Sequence, residues 1–175
     1  MDFENLNYLK TGSLRQQKVF DVLESTKIMV VLQEFTPVLA GTFPIDIATD
    51  NSDLDIICFW KYKSDFIQTL KNHFGRIENF SIRELSFSNQ ETVIANFILG
   101  NFEFEVFGQN VPVKQQFAFR HMVIEYEILK QKGETFREQI IELKKNGFKT
   151  EPAFAKLLQL PGDPYDALLQ YRSSE

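Results

Sequence analysis

Two aspartates separated by one apolar residue, Asp53-Leu54-Asp55, open the apolar run Ile56-Ile57-Cys58-Phe59. A strand sends alternate side chains to opposite faces, so Asp53 and Asp55 share one face while Leu54 and Ile56 point to the other. Carboxylates held side by side repel one another, and a divalent cation between them converts that repulsion into ligation. Further along, Phe102-Glu103-Phe104-Glu105-Val106-Phe107 alternates strictly, which puts Glu103 and Glu105 on one face and makes a third carboxylate available. Parity fits both glutamates and does not choose between them.

These residues need a sheet to hold them. Residues 36–40 read as a short strand running into Gly41, and residues 54–60 as its neighbour, apolar enough for an interior position. The intervening segment 42–52, with Pro44 and the polar turn Thr49-Asp50-Asn51-Ser52, reads as a loop over the strand ends. Strands are also expected over 80–85, 92–99 and 102–107, the last two joined by Gly100-Asn101, a pair that tolerates positive φ. Helices flank them. Residues 14–35 form two helical pieces with Ser13 and Ser25 as caps, and Ser64 or Asp65 starts a helix through residue 74 that Gly75 closes. From residue 114 onward the pattern is helical throughout, with Asp163-Pro164 opening the final helix. The order is that of an α+β fold, with an α/β core over 1–112 and a helical C-terminal extension over 113–175 packed on it as one unit.

At 175 residues, 43% hydrophobic and with 18 Phe, the chain can bury one substantial core. Its formal net charge of -5 argues against a nucleic-acid polymer as main partner, because phosphate-backbone binders normally carry a basic stripe. No stretch approaches the ~20 apolar residues of a membrane span and the first residues lack the features of a signal peptide, so a cytoplasmic protein is expected. The single Cys58 lies in an apolar run and reads as a packed thiol.

The segment Leu39-Ala40-Gly41-Thr42, its spacing to Asp53-Leu54-Asp55-Ile56, and the later acidic strand resemble the nucleotidyltransferase superfamily of DNA polymerase β type. There a Gly-Ser or Gly-Gly pair opens a loop or helix, a D-h-D strand supplies two metal ligands, and a neighbouring strand supplies a third carboxylate. The stretches Glu105-Val106-Phe107-Gly108-Gln109, Arg120-His121-Met122 and Lys149-Thr150-Glu151-Pro152-Ala153-Phe154 resemble more closely an uncharacterised bacterial domain family within that superfamily, over most of the chain.

The resemblance implies transfer of a nucleoside monophosphate from ATP or another triphosphate to an unidentified acceptor, a small molecule or a protein. It implies two Mg²⁺ held by Asp53, Asp55 and Glu105, with Glu103 as the alternative third ligand. Gly41 lets backbone approach a phosphate and Thr42, where Ser is commoner, supplies a hydroxyl and an amide. Arg120 reads as a phosphate or base clamp and Lys149 as a triphosphate contact, while packing and capping account equally for His121 and for Thr150 as an N-cap. The alternative is a catalytically inactive nucleotide-binding or partner-binding module of the same fold.

Overall fold

Five strands form one mixed sheet in the order β1-β2-β5-β4-β3, where β1 is Val38–Ala40, β2 Leu54–Phe59, β3 Ser81–Phe87, β4 Gln90–Leu99 and β5 Phe102–Gln109. The structure is a computed structural model describing residues 1–171, so 172–175, the end of the expected C-terminal extension, lie outside the described residues. Strand β2 pairs antiparallel with β1 and parallel with β5, which gives it the expected interior place. The β4–β5 hairpin turns at Gly100 (φ 59°) and Asn101 (φ 64°), the positive values that a two-residue connection demands.

Alternation divides the core between the two faces of the sheet. Leu54, Ile56, Cys58, Phe104 and Val106 pack with α2 (Leu14–Thr26), α3 (Ile28–Val31) and α4 (Lys63–Phe74). On this face Gly108 makes room for the Phe66 ring of α4, since any Cβ there would collide with it. Ile57 belongs to the opposite cluster, with α5 (Phe117–Lys132), α6 (Glu134–Lys145), α7 (Thr150–Leu158) and α8 (Pro164–Leu169). Asp53 and Asp55 share the parity of Ile57, so they face the C-terminal helices. The expected α+β architecture, a mixed sheet flanked by helices with a helical C-terminal portion, is what the chain adopts. Among the described residues no helix is long and apolar enough to cross a membrane.

Local differences have local causes. A one-turn helix, α1 (Asn7–Lys10), precedes the first expected helix. Ser13 does cap α2, in a reciprocal box with Gln16, but Ser25 caps nothing. Its hydroxyl donates to the Val22 carbonyl, and the helical break falls at Lys27 in the left-handed region. Thr36 is left-handed too (φ 47°) and so stays out of β1. Tyr62, not Ser64 or Asp65, occupies the N-cap of α4, and Gly75 ends it with right-handed torsions. Lys149 takes the N-cap position of α7, making Thr150 its first helical residue.

Candidate functional site

The pairing register assembles the acidic face. Ala40 lies opposite Asp55 on one side, and Glu105 is the parallel partner of Asp55 on the other. Glu105 and the two aspartates line one large cleft of about 1490 Å³, together with Gly41 and Thr42, between the sheet and the C-terminal helices. Gly41 has φ +70°, and a Cβ built on it would overlap the Asp55 carboxylate, so the backbone can pass this close only as glycine. Glu103 faces Ile98 across the hairpin, is exposed, and does not line the cleft.

The electrostatics follow from this crowding. Burial, then the neighbouring Asp53 and Glu105 charges, push the Asp55 carboxyl well above the ordinary range. No described residue hydrogen-bonds to Asp53 or Asp55 through their carboxylates, whereas Glu105 accepts from Arg83 (3.4 Å) and from Asn96 (3.3 Å). Among the described residues no group of three or more His, Cys, Asp or Glu side chains is arranged to hold a metal ion. The aspartate pair still suits a hard cation: its oxygens are unclaimed, and Mg²⁺ is commonly held by one or two carboxylates with substrate phosphates completing the shell.

The segment 42–52 is a loop, as expected, and much of it is buried. Phe43, Ile45, Ile47 and Ala48 are buried, and its carbonyls are captured from both sides. From α2, Gln16 Nε2 donates to Phe43 O (2.9 Å) and Arg15 to Ala48 O (2.7 Å). From α6, Arg137 donates to the carbonyls of Ile45 and Asp46, and Lys144 Nζ to Ile47 O (2.9 Å). Each buried carbonyl thereby gains the partner that burial demands.

The far wall of the cleft carries residues that pattern reading passed over. Glu125 is 3% exposed, and its Oε1 has no hydrogen-bond partner. Burial, then Glu151, pushes its carboxyl well above the usual range. Lys144 is lowered to about 8 by burial, against the pull of Glu125, Asp55, Glu151 and Asp53 in that order. His121 is buried with Nε2 3.0 Å from Tyr165 O and Nδ1 3.8 Å from Glu151 Oε1. A signal for Glu125 was present: it falls on the buried stripe His121, Met122, Glu125, Ile128, Leu129 of α5, where a carboxylate is out of place.

Arg120 is not brought to this site. It is exposed, lies over the Phe117 ring at 5.7 Å, and does not line the cleft. Lys149 does line it, exposed at the start of α7. Gln116 serves the fold by donating to Cys58 O (2.9 Å) and Val111 O (2.8 Å), and Gln109 donates to Thr92 Oγ1 (2.8 Å). The Cys58 thiol is fully buried and its pKa is pushed up, which leaves it inert as a nucleophile.

A carboxyl with a raised folded pKa binds a proton in the native state that the unfolded chain has already released, so stability falls as pH rises across that interval. Glu125→Gln removes one such group. Between pH 5 and 7, where Lys144 stays protonated, thermal melting of the metal-free protein should decline with pH less steeply in Glu125→Gln than in the parent; an unchanged slope would place the Glu125 carboxyl in the ordinary range.

This sheet, with its acidic face and helical cover, is a nucleotidyltransferase-like fold. It is similar to the Cid1 poly(U) polymerase solved with MgGTP bound, at 13% identity and TM-score 0.54 over 76% of this chain and 42% of that one. The Cid1 structure bound to MgATP gives 12% and 0.56 over 90% and 49%, and the polymerase core of TRAMP, an RNA surveillance complex, 10% and 0.51 over 90% and 49%. The chain thus spans less than half the length of these structures. Residues 21–171 match the domain of unknown function DUF4269, and the chain belongs to that family. No curated protein matches it.

Proposed function

We propose that the protein is a Mg²⁺-dependent nucleotidyltransferase that moves a nucleoside monophosphate from a triphosphate to an acceptor hydroxyl or phosphate. The observation that carries this is the register around Asp55, which sets a glycine backbone on one side and Glu105 on the other, above a cleft large enough for a nucleotide. In the reaction an acceptor oxygen forms a bond to the α-phosphorus, the bond from that phosphorus to the bridging oxygen breaks, and pyrophosphate leaves. Bound Mg²⁺ would supply charge neutralisation of the phosphates and activation of the attacking oxygen.

The chain's own residues orient and hold. Asp53 and Asp55 would ligate the metal, Gly41 and Thr42 would present backbone and hydroxyl to the phosphates, and a carboxylate of the same face would take the acceptor's proton. Lys149, which lines the cleft, would contact the triphosphate. On this reading residues 1–112 carry the catalytic core and the helices after 113 form the wall against which the acceptor rests. Incubation with labelled triphosphates and cell extract should give labelling that depends on Asp53; its absence from the parent protein removes the enzyme reading.

One observation favours the second reading, a catalytically inactive nucleotide-binding module. Glu105 accepts from Arg83 and Asn96, both at Oε2, which draws one of its two oxygens toward β3 and β4. Arg83 is more than half exposed, so this grip is a weak one. If Glu105 completes the metal site, Arg83→Ala should lower the Mg²⁺ concentration for half-maximal stabilisation by triphosphate about two- to five-fold. An unchanged or raised midpoint would leave Glu105 as a structural partner of Arg83.

A further inference from the structure

We propose that the acceptor is a small organic cation, an amine-bearing molecule whose protonated nitrogen is seated by Glu125 and Glu151 on the wall opposite the aspartate pair. This rests on the transferase reading and names the substrate class of that site. The starting point is Glu125, which lines the cleft and whose buried Oε1 has no hydrogen-bond partner. Such a group normally has a partner, and the described protein supplies none for this atom.

The charges of the cleft point the same way. The hydrogen bonds of its buried or half-buried cations go elsewhere, those of Arg15 to Ala48 O and Asp50, of Arg137 to the carbonyls of 45 and 46 and to Glu134, and of Lys144 to Ile47 O, so that Lys144 acts on Glu125 through its charge alone. Glu151 has His121 as its ion-pair partner, and that only at 3.8 Å. Two divalent ions and a fully ionised triphosphate would cancel each other, so loading the nucleotide brings no cation to the Glu125 and Glu151 wall, whereas a bound ammonium would favour the carboxylate form of Glu125 that burial disfavours. A Mg²⁺ ion answers this less well, because it demands a near-ideal octahedral shell of which two carboxylates supply only a part. An ammonium suits it, since it donates several hydrogen bonds and pairs with carboxylates without an ordered ligand shell. A phosphate-rich polymer would be repelled by the same wall.

The test is calorimetric binding of spermidine to the metal-free protein, with 1,8-octanediol as a neutral probe of similar length. Spermidine should bind saturably and octanediol should not. Glu125→Gln should weaken spermidine about tenfold, and Arg120→Gln, outside the cleft, should leave it within about twofold. Should Glu125→Gln reduce the folded fraction, Glu151→Gln, on the partly exposed first turn of α7, gives an independent reading and should weaken binding severalfold. Equal binding of the two probes, or of spermidine by the parent and both glutamine variants, overturns the proposal. So does displacement of spermidine by Mg²⁺ in the Asp53→Asn/Asp55→Asn variant, or saturable binding of an oligouridine RNA, without spermidine, that Glu125→Gln weakens to the same extent. Neither metal nor triphosphate enters the primary titration, so a failure of nucleotidyl transfer is seen separately, in the labelling experiment.

Discussion

Replacing Asp53 and Asp55 together by asparagine is expected to stabilise the metal-free protein while abolishing its response to magnesium triphosphate. The two effects have opposite signs and one origin. Burial, then the neighbouring Asp53 and Glu105, disfavour the charged form of Asp55, so a neutral side chain of the same shape relieves a cost that the parent carries. Each ~1 kcal/mol relieved raises the melting temperature by about 2–4 °C in a chain of this size. In the parent, a triphosphate at a hundred times its Kd should add about 2.7 kcal/mol. The double variant should start higher and gain almost nothing. A variant that melts below the parent and still responds to magnesium triphosphate would move the site elsewhere.

Gly41→Ala is expected to damage fold and site together. The backbone there has φ +70°, a conformation that costs an ordinary residue about 1–2 kcal/mol, and the added methyl would overlap the Asp55 carboxylate. The carboxylate, held by no hydrogen bond from the described residues, can turn away only by leaving its place in the cleft, since the Asp55 backbone is fixed by a strand paired on both sides. A loss of about 2–3 kcal/mol is therefore predicted, with triphosphate binding lost as Asp55 is pushed aside. The two components separate in a double-mutant cycle. In an Asp55→Ala background the overlap disappears and only the torsional part remains, so Gly41→Ala should cost about 1 kcal/mol less there than in the parent. Equal costs in the two backgrounds would show that Gly41 and Asp55 do not touch.

What could be read from the chain alone was whatever a short window determines. The parity of Asp53-Leu54-Asp55, the Gly100-Asn101 turn and the Asp163 cap are such features, and all three stand in the structure as read. The choice between Glu103 and Glu105 was not readable, since both lie on the same face of one strand. It turns on the parallel pairing of β2 with β5, two strands separated in the chain by a helix and a hairpin, and that register sets Glu105 beside Asp55. The capping expectations at Ser25, Ser64 and Thr150 failed because several polar residues competed for each helix start and backbone torsions decided. Lys144 and Arg137 escaped notice for another reason. On an amphipathic helix they look like solvated charges, and only the burial of the 43–48 carbonyls gives them work.

That last arrangement bears on how the protein is made. The carbonyls of Ile45 and Ile47 are held by residues 92 and 97 positions downstream, so the loop beside the aspartates reaches its final shape only after α6 has left the ribosome. A chain ending before α6 would leave the Ile45, Asp46 and Ile47 carbonyls without these donors beside the aspartates. The loop beside the acids is therefore completed by the helices that close the cleft, and a chain lacking those helices presents Asp53 and Asp55 without it.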